Sequence, residues 1–176
     1  EIHVKLRLAA ALFGTLLVAA VAQAQTVKLG VVNTYSGPFA DVGEQLDRGI
    51  RLYMKLHEKE LPAGVKLEII RRDDTGPNPE TAKRLAQELI VRDKVNLLTG
   101  LIYTPNAMAI APLTAEAKVP LVLMNAGASV ITTRSPYIAR TSFTLWQSSY
   151  HMGIWAAKNG IKKARSEEHT SELQSH

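Results

Sequence analysis

The chain has 176 residues, of which 46% are hydrophobic and 21% charged, the composition of one globular domain large enough to bury a core. It contains no cysteine, which excludes disulfides, thiol catalysis, Cys-ligated zinc and a lipidated cysteine anchor. The net charge of +5 is dispersed, with its densest clusters at Arg71-Arg72 and Lys162-Lys163. No basic run is interleaved with aromatics, so a nucleic-acid partner is not expected. The five histidines (His3, His57, His151, His169, His176) lack ligand spacing, and neither metal nor cofactor is expected.

Residues 1–24 read as a cleavable export signal. Lys5 and Arg7 form a positive n-region, residues 8–21 an uncharged apolar run, and Ala22-Gln23-Ala24 an A-x-A cleavage site. The run is shorter than the ~20 residues a bilayer span needs; a membrane anchor or a buried helix is the alternative. Val4 reads as a candidate alternative start. Export predicts a periplasmic location, and it disfavours a cytoplasmic dehydrogenase or a DNA-binding repressor.

From Val27 the pattern alternates strands and helices. A strand is predicted over 27–32, ending in the loop "NTYSGP". A helix over 42–59 follows, with Val42, Leu46, Ile50, Tyr53 and Leu56 near one face; Pro62 and Gly64 end it. A second strand spans 65–71 and runs into "DDTGPNPE", where Asn78 caps a helix and Pro79 occupies its first turn. That helix buries Ala82, Leu85, Ala86, Leu89 and Ile90. A third strand, 95–99, leads to "GLIYTPNA", where Thr104 and Pro105 repeat the cap-and-proline signature. Pro112 predicts that the next helix is kinked or starts late. A fourth strand spans 119–124 and ends in "NAGAS".

Strands separated by helices imply an α/β doubly wound parallel sheet with right-handed crossovers. Ligands of such sheets bind outside the carboxyl ends of the strands. The glycines there form neither G-x-G-x-x-G nor a Walker loop, which disfavours nucleotides. An exported enzyme is disfavoured because no nucleophile, base and orienter set and no G-x-S-x-G elbow occurs.

The blocks "YSGPFADVGEQLDRGIRLYM", "IIRRDDTGPNPETAKRLAQELI" and "APLTAEAKVPLV" resemble the branched-chain amino acid type of periplasmic substrate-binding protein, in order and spacing from Thr26 to about Ala164. The resemblance implies two doubly wound lobes trapping a small molecule and delivering it to an ABC permease, with no bond made or broken. It also implies a protein about twice this length, monomeric when whole. Residues 25–141 then correspond to the first lobe, incomplete here. Residues 142–164 correspond to the crossover and the first helix of the second lobe, and residues 137–143, "YIARTSF", to the first crossing strand. The final "RSEEHTSELQSH", residues 165–176, resembles the translation of a sequencing adapter; a genuine disordered tail is the alternative. A ligand-sensing receptor ectodomain of the same fold is the alternative function.

In that family the first lobe holds the ligand's carboxylate with hydroxyls and backbone N–H groups from the loops after its strands, and helix starts suit an anion. By position, Tyr103 and Thr104 stand where many relatives carry serines. Asn125, Ala126 and Gly127 stand where amino acid binders carry Ala and Thr. Gly127 has no hydroxyl, which turns the expectation from an amino acid toward a small carboxylate with an apolar or aromatic body, with leucine-like amino acids second. Tyr35 and Ser36 are candidates for the cleft rim, although turn chemistry alone explains Ser36-Gly37-Pro38. Trp146, or Phe143, is a candidate for stacking on the ligand, with core packing as the alternative. Thr104 also reads as an N-cap, Tyr103 as packing and Asn125 as a turn residue. Asp73 and Asp74 resemble the family's acidic loop and are expected to cap it rather than to bind a metal, with Asp73 away from the carboxylate site.

Overall fold

The structure is a computed structural model that describes residues 25–163; the predicted export signal (1–24) and the predicted tail (165–176) lie outside the described residues. Five strands, β1 (Gln25–Asn33), β2 (Val65–Asp73), β3 (Leu97–Gly100), β4 (Leu121–Leu123) and β5 (Ile138–Arg140), form one sheet in the order β2-β1-β3-β4-β5. Every pairing is parallel. The longest ladder joins β1 to β2 from Gln25 opposite Val65 to Asn33 opposite Asp73. The expected crossing segment 137–143 contributes Ile138–Arg140 to this sheet as its fifth strand, beside β4.

Strand β3 begins two residues later than its apolar run. The Val95 N–H turns back to the Leu89 carbonyl and closes the preceding helix. Asn96 then joins β1 with side chain and backbone together: its Oδ1 accepts from the Lys28 N–H at 2.8 Å, and its own N–H donates to the Lys28 carbonyl.

Among the described residues, four α-helices connect or follow the strands: α1 (Ala40–His57), α2 (Pro79–Val91), α3 (Thr104–Ala117) and α4 (Leu145–Lys158). The expected cap of α2 is realised, with Asn78 Oδ1 accepting from the Thr81 N–H at 3.1 Å and Pro79 in the first turn. Its apolar face is also the expected one: Ala82, Leu85, Ala86 and Leu89 are buried. Ala82, Ala86 and Leu89 pack with Ala107, Ile110 and Ala111 of α3 over Val32, Leu98, Leu121 and Leu123 of the sheet, with the partly buried Ile90 against them. Helix α3 runs unbroken from Thr104 with Pro112 inside it, so the helix starts no later than its cap signature.

Helix α1 keeps Val42, Leu46 and Ile50 of its predicted face partly buried and departs from that face toward its C-terminus. Tyr53 and Leu56 are 62% and 68% exposed, whereas Gly43 and Asp47 are buried. Two local contacts set the rotation. A Cβ on Gly43 would stand 1.8 Å from the Thr34 carbonyl oxygen, so only glycine lets the helix meet the end of β1 so closely. One turn on, Asp47 pairs with Arg71 of β2 and with Arg51. Glycine and aspartate, invisible to an apolar-periodicity rule, define the inward side.

The order of strands decides where a ligand can sit. The chain leaves β1 for β2 on one side and later returns to β3 on the other. With right-handed crossovers, α1 lies on one face and α2 and α3, which pack together, lie on the other. The loops after β1 and β3 therefore diverge, opening a crevice above the carboxyl ends of these two strands.

Candidate functional site

The floor of the crevice is built from strained and buried backbone. Gly100 has φ +107°, and a Cβ there would lie 2.3 Å from the Val32 carbonyl oxygen. Leu101, fully buried, follows with φ 65°, a left-handed conformation costing a non-glycine residue roughly 1–2 kcal/mol. Two hydrogen bonds hold it, from its own N–H to Val32 O (2.8 Å) and from the Ala126 N–H to its carbonyl (2.9 Å). Strain of this kind persists where the surroundings over-determine it, commonly at binding sites.

Beneath the crevice a buried polar network ties three loops together. The Asp74 carboxylate, fully buried, accepts from the Thr34 hydroxyl at 2.6 Å, from Asn106 Nδ2 at 2.8 Å and from the Gly76 N–H at 3.2 Å. Asn106 Nδ2 also reaches the Gly76 carbonyl at 2.8 Å. Thr34 follows β1, Asp74 follows β2 and Asn106 lies in the first turn of α3, so the network sets the spacing of the crevice walls. Asp73 caps its loop as expected, accepting from the N–H groups of Tyr35 and Thr75, each at 2.9 Å. Burial alone would raise its pKa, but the hydrogen bonds from Tyr35, Ser36 and Thr75 outweigh it and hold the carboxyl below its ordinary value.

Tyr103 stands at the N-cap of α3, half-buried, and makes no side-chain cap. Its ring meets Phe39 edge to face, with centroids 5.8 Å apart and planes at 85°. Burial first, and then the Asp74 carboxylate, raise the phenol's pKa, so the group is a neutral hydroxyl at ordinary pH. Thr104 is the first helical residue rather than the cap, and its hydroxyl accepts from the Ala128 N–H at 3.4 Å, joining the β3 and β4 loops. Asn125 is exposed, and its Nδ2 donates to the Ile102 carbonyl at 3.3 Å, a second tie between the same loops.

Other predicted residues fall elsewhere. Ala126 is fully buried in the core and its N–H is committed to Leu101, so its side chain does not face a ligand. Gly127 lies against the start of α4, where a Cβ would come 2.8 Å from Leu145 Cγ; packing explains the glycine. Ser36 is exposed at the rim. Tyr35 is half-buried; burial, and then the Asp47 carboxylate, raise its pKa against the opposing effect of Arg71. Trp146 is 62% exposed on α4 and stacks on Tyr150 of its own helix, with centroids 5.0 Å apart. Helix periodicity places those two rings one turn apart.

Sequence reasoning missed Phe39, Asn106 and Arg140. Phe39, beside Gly37-Pro38, reads as a loop residue, yet it is the N-cap of α1. Asn106 is a polar residue in the first turn of α3, yet it is fully buried. Arg140, at the end of β5, donates to the carbonyls of Ala126 (3.0 Å) and Ala128 (2.6 Å) and so fixes the β4 loop. A concavity of about 570 Å³ lies at the opposite end of the sheet, between Met54, Leu61 and Val65; it is remote from the carboxyl ends of the strands. The crevice itself is an open surface of one lobe.

A doubly wound parallel lobe with its crevice at the β1/β3 switch point defines the class as a small-ligand-binding α/β fold. The chain belongs to the periplasmic binding protein family, whose model matches residues 26–166. A Brucella abortus protein called Leu/Ile/Val-binding protein homolog 6 is 43% identical over 147 residues, covering 84% of this chain. The chain spans 37% of that relative's length. Among solved structures, an R. palustris ABC transporter solute binding protein in complex with 4-hydroxybenzoate matches with a TM-score of 0.74 and 47% identity, over 77% of this chain and 37% of that one. Another, from Rhodopseudomonas palustris BisB5 in complex with 3,4-dihydroxy benzoic acid, gives 0.73 and 55%, over 78% and 37%. A leucine binding protein from Thermotoga maritima gives 0.69 and 26%, over 76% and 37%.

Proposed function

We propose that the intact protein is exported to the periplasm, captures a small carboxylate with an aromatic body, and hands it to an ABC importer permease without chemical change. Residues 25–141 serve as its first lobe, and residues 142–164 lead into a second lobe that closes over the crevice. The exposed apolar side chains of α4, Leu145, Trp146, Met152 and Trp155 among them, support that boundary, because a helix of this composition requires a partner.

The observation that carries the ligand choice is Tyr103 at the head of α3. Its ring offers a flat amphipathic surface beside a helix start that no side chain caps, which suits a carboxylate on one side and a ring on the other. The complexes of the two R. palustris proteins with hydroxylated benzoic acids support the same choice. Thr104, Asn125 and Ser36 complete the first-lobe contacts. Branched-chain amino acids are the second reading, favoured by the name of the Brucella relative.

Calorimetry of the intact protein against 4-hydroxybenzoate, an aliphatic acid and leucine tests this. The aromatic acid is expected to bind tightest, and Tyr103→Ala to weaken it at least several-fold, the loss of one stacked pair at roughly 0.5–1.5 kcal/mol plus buried area. Tight leucine binding that Tyr103→Ala leaves unchanged would overturn both the ligand and the residue.

A further inference from the structure

The N-caps of the two helices flanking the switch point share an unusual feature. Phe39 heads α1 and Tyr103 heads α3, and neither makes a side-chain cap. Serine, threonine, aspartate or asparagine at either place would satisfy a free N–H, so both positions forgo helix stability for an aromatic ring. The two rings come from opposite sides of the crevice and meet edge to face, at 5.8 Å and 85°. Their contact leaves much of each ring open, with Phe39 45% exposed and Tyr103 half-buried.

We infer that Phe39 is a specificity-determining residue, forming with Tyr103 a right-angled aromatic corner that selects a planar ring acid over a saturated one of the same size. The inference rests on the aromatic-acid reading and assigns its selectivity to a residue outside the β3 and β4 loops. Two ring faces at right angles accept a third ring that stacks on one and turns its edge to the other, the arrangement aromatic quadrupoles favour. A saturated ring or a branched aliphatic chain has no quadrupole and gains only from burial. It is also thicker than a planar ring and fills the corner less well.

The test is calorimetry of the intact protein, wild type, Phe39→Leu and Phe39→Tyr, against 4-hydroxybenzoate, its saturated analogue 4-hydroxycyclohexanecarboxylate, and leucine. Leucine at position 39 keeps apolar bulk and removes the ring, and thermal melting checks that each variant is folded. Wild type is expected to prefer the planar acid by at least about tenfold, Phe39→Leu to cut that ratio about five- to tenfold, and Phe39→Tyr to keep it. Wild type that binds 4-hydroxybenzoate with an unchanged ratio in Phe39→Leu overturns this inference alone. An equal loss for both ring acids assigns Phe39 to general packing and overturns it as well. Wild type that binds leucine and neither ring acid refutes the aromatic-acid reading, and this inference with it.

Discussion

Asp74→Ala attacks the junction on which the crevice depends. The carboxylate is fully buried and is the acceptor for Thr34 Oγ1, Asn106 Nδ2 and the Gly76 N–H. Removing it leaves Asn106 Nδ2 one other partner, the Gly76 carbonyl, and strips the other two donors of this acceptor. A buried donor without an acceptor costs about 1–3 kcal/mol, so the two together are expected to cost about 3–4 kcal/mol, the weak 3.2 Å bond from Gly76 counting at the low end. Asp74→Asn is the informative comparison. Its carbonyl still accepts, and only the contact with Asn106 becomes donor against donor. Rotating the Asn106 amide would offer its unpartnered Oδ1 to the new NH2 group, at the cost of the Gly76 carbonyl's donor, a net loss of about 1 kcal/mol. Urea unfolding of the intact protein, followed by circular dichroism, measures both variants. A loss below about 1 kcal/mol for Asp74→Ala, or a larger loss for Asp74→Asn than for Asp74→Ala, refutes the reasoning.

Gly43→Ala must push a Cβ into the Thr34 carbonyl oxygen and is expected to lose about 3 kcal/mol or more. Gly49→Ala on the same helix, with nothing within 4 Å, should gain about 0.5–1 kcal/mol; thermal melts of the pair decide between a steric and a propensity effect. Asp73 has a folded pKa below its unfolded value of 3.8, so its stabilisation is present above that pH and is lost as pH falls through the lowered folded value. The stability advantage of wild type over Asp73→Asn, read by unfolding at a series of pH values, is expected at neutral pH and should vanish in acid; an advantage that grows in acid would reverse the sign.

Much of the fold was legible locally. The alternation of strands and helices, the Asn78-Pro79 cap and the buried stripe of α2 follow from periodicities and turn chemistry acting over a few residues. So does the expectation that a ligand sits at the loops after β1, β3 and β4, once the connections are parallel. Those loops carry Thr104 and Asn125, whose hydrogen bonds join one loop to the next. The rotation of α1 was not legible, because Gly43 and Asp47 face inward through contacts with Thr34 and Arg71, partners from other elements. The same holds for Ala126, which the sequence places in a site loop and the core takes in.

By itself the sequence determined the α/β class, the element order and the loops that border the crevice, since each depends on short-range pattern. Only the tertiary structure decided which residues of those loops meet. Phe39 and Tyr103 are far apart in the chain, and they touch because the order β2-β1-β3 makes β1 and β3 neighbours while their helices leave on opposite faces. Thr34, Asp74 and Asn106 likewise share one buried carboxylate only after three strands are aligned, because a hydrogen bond of 2.6–2.8 Å depends on the spacing of elements, which no residue encodes alone.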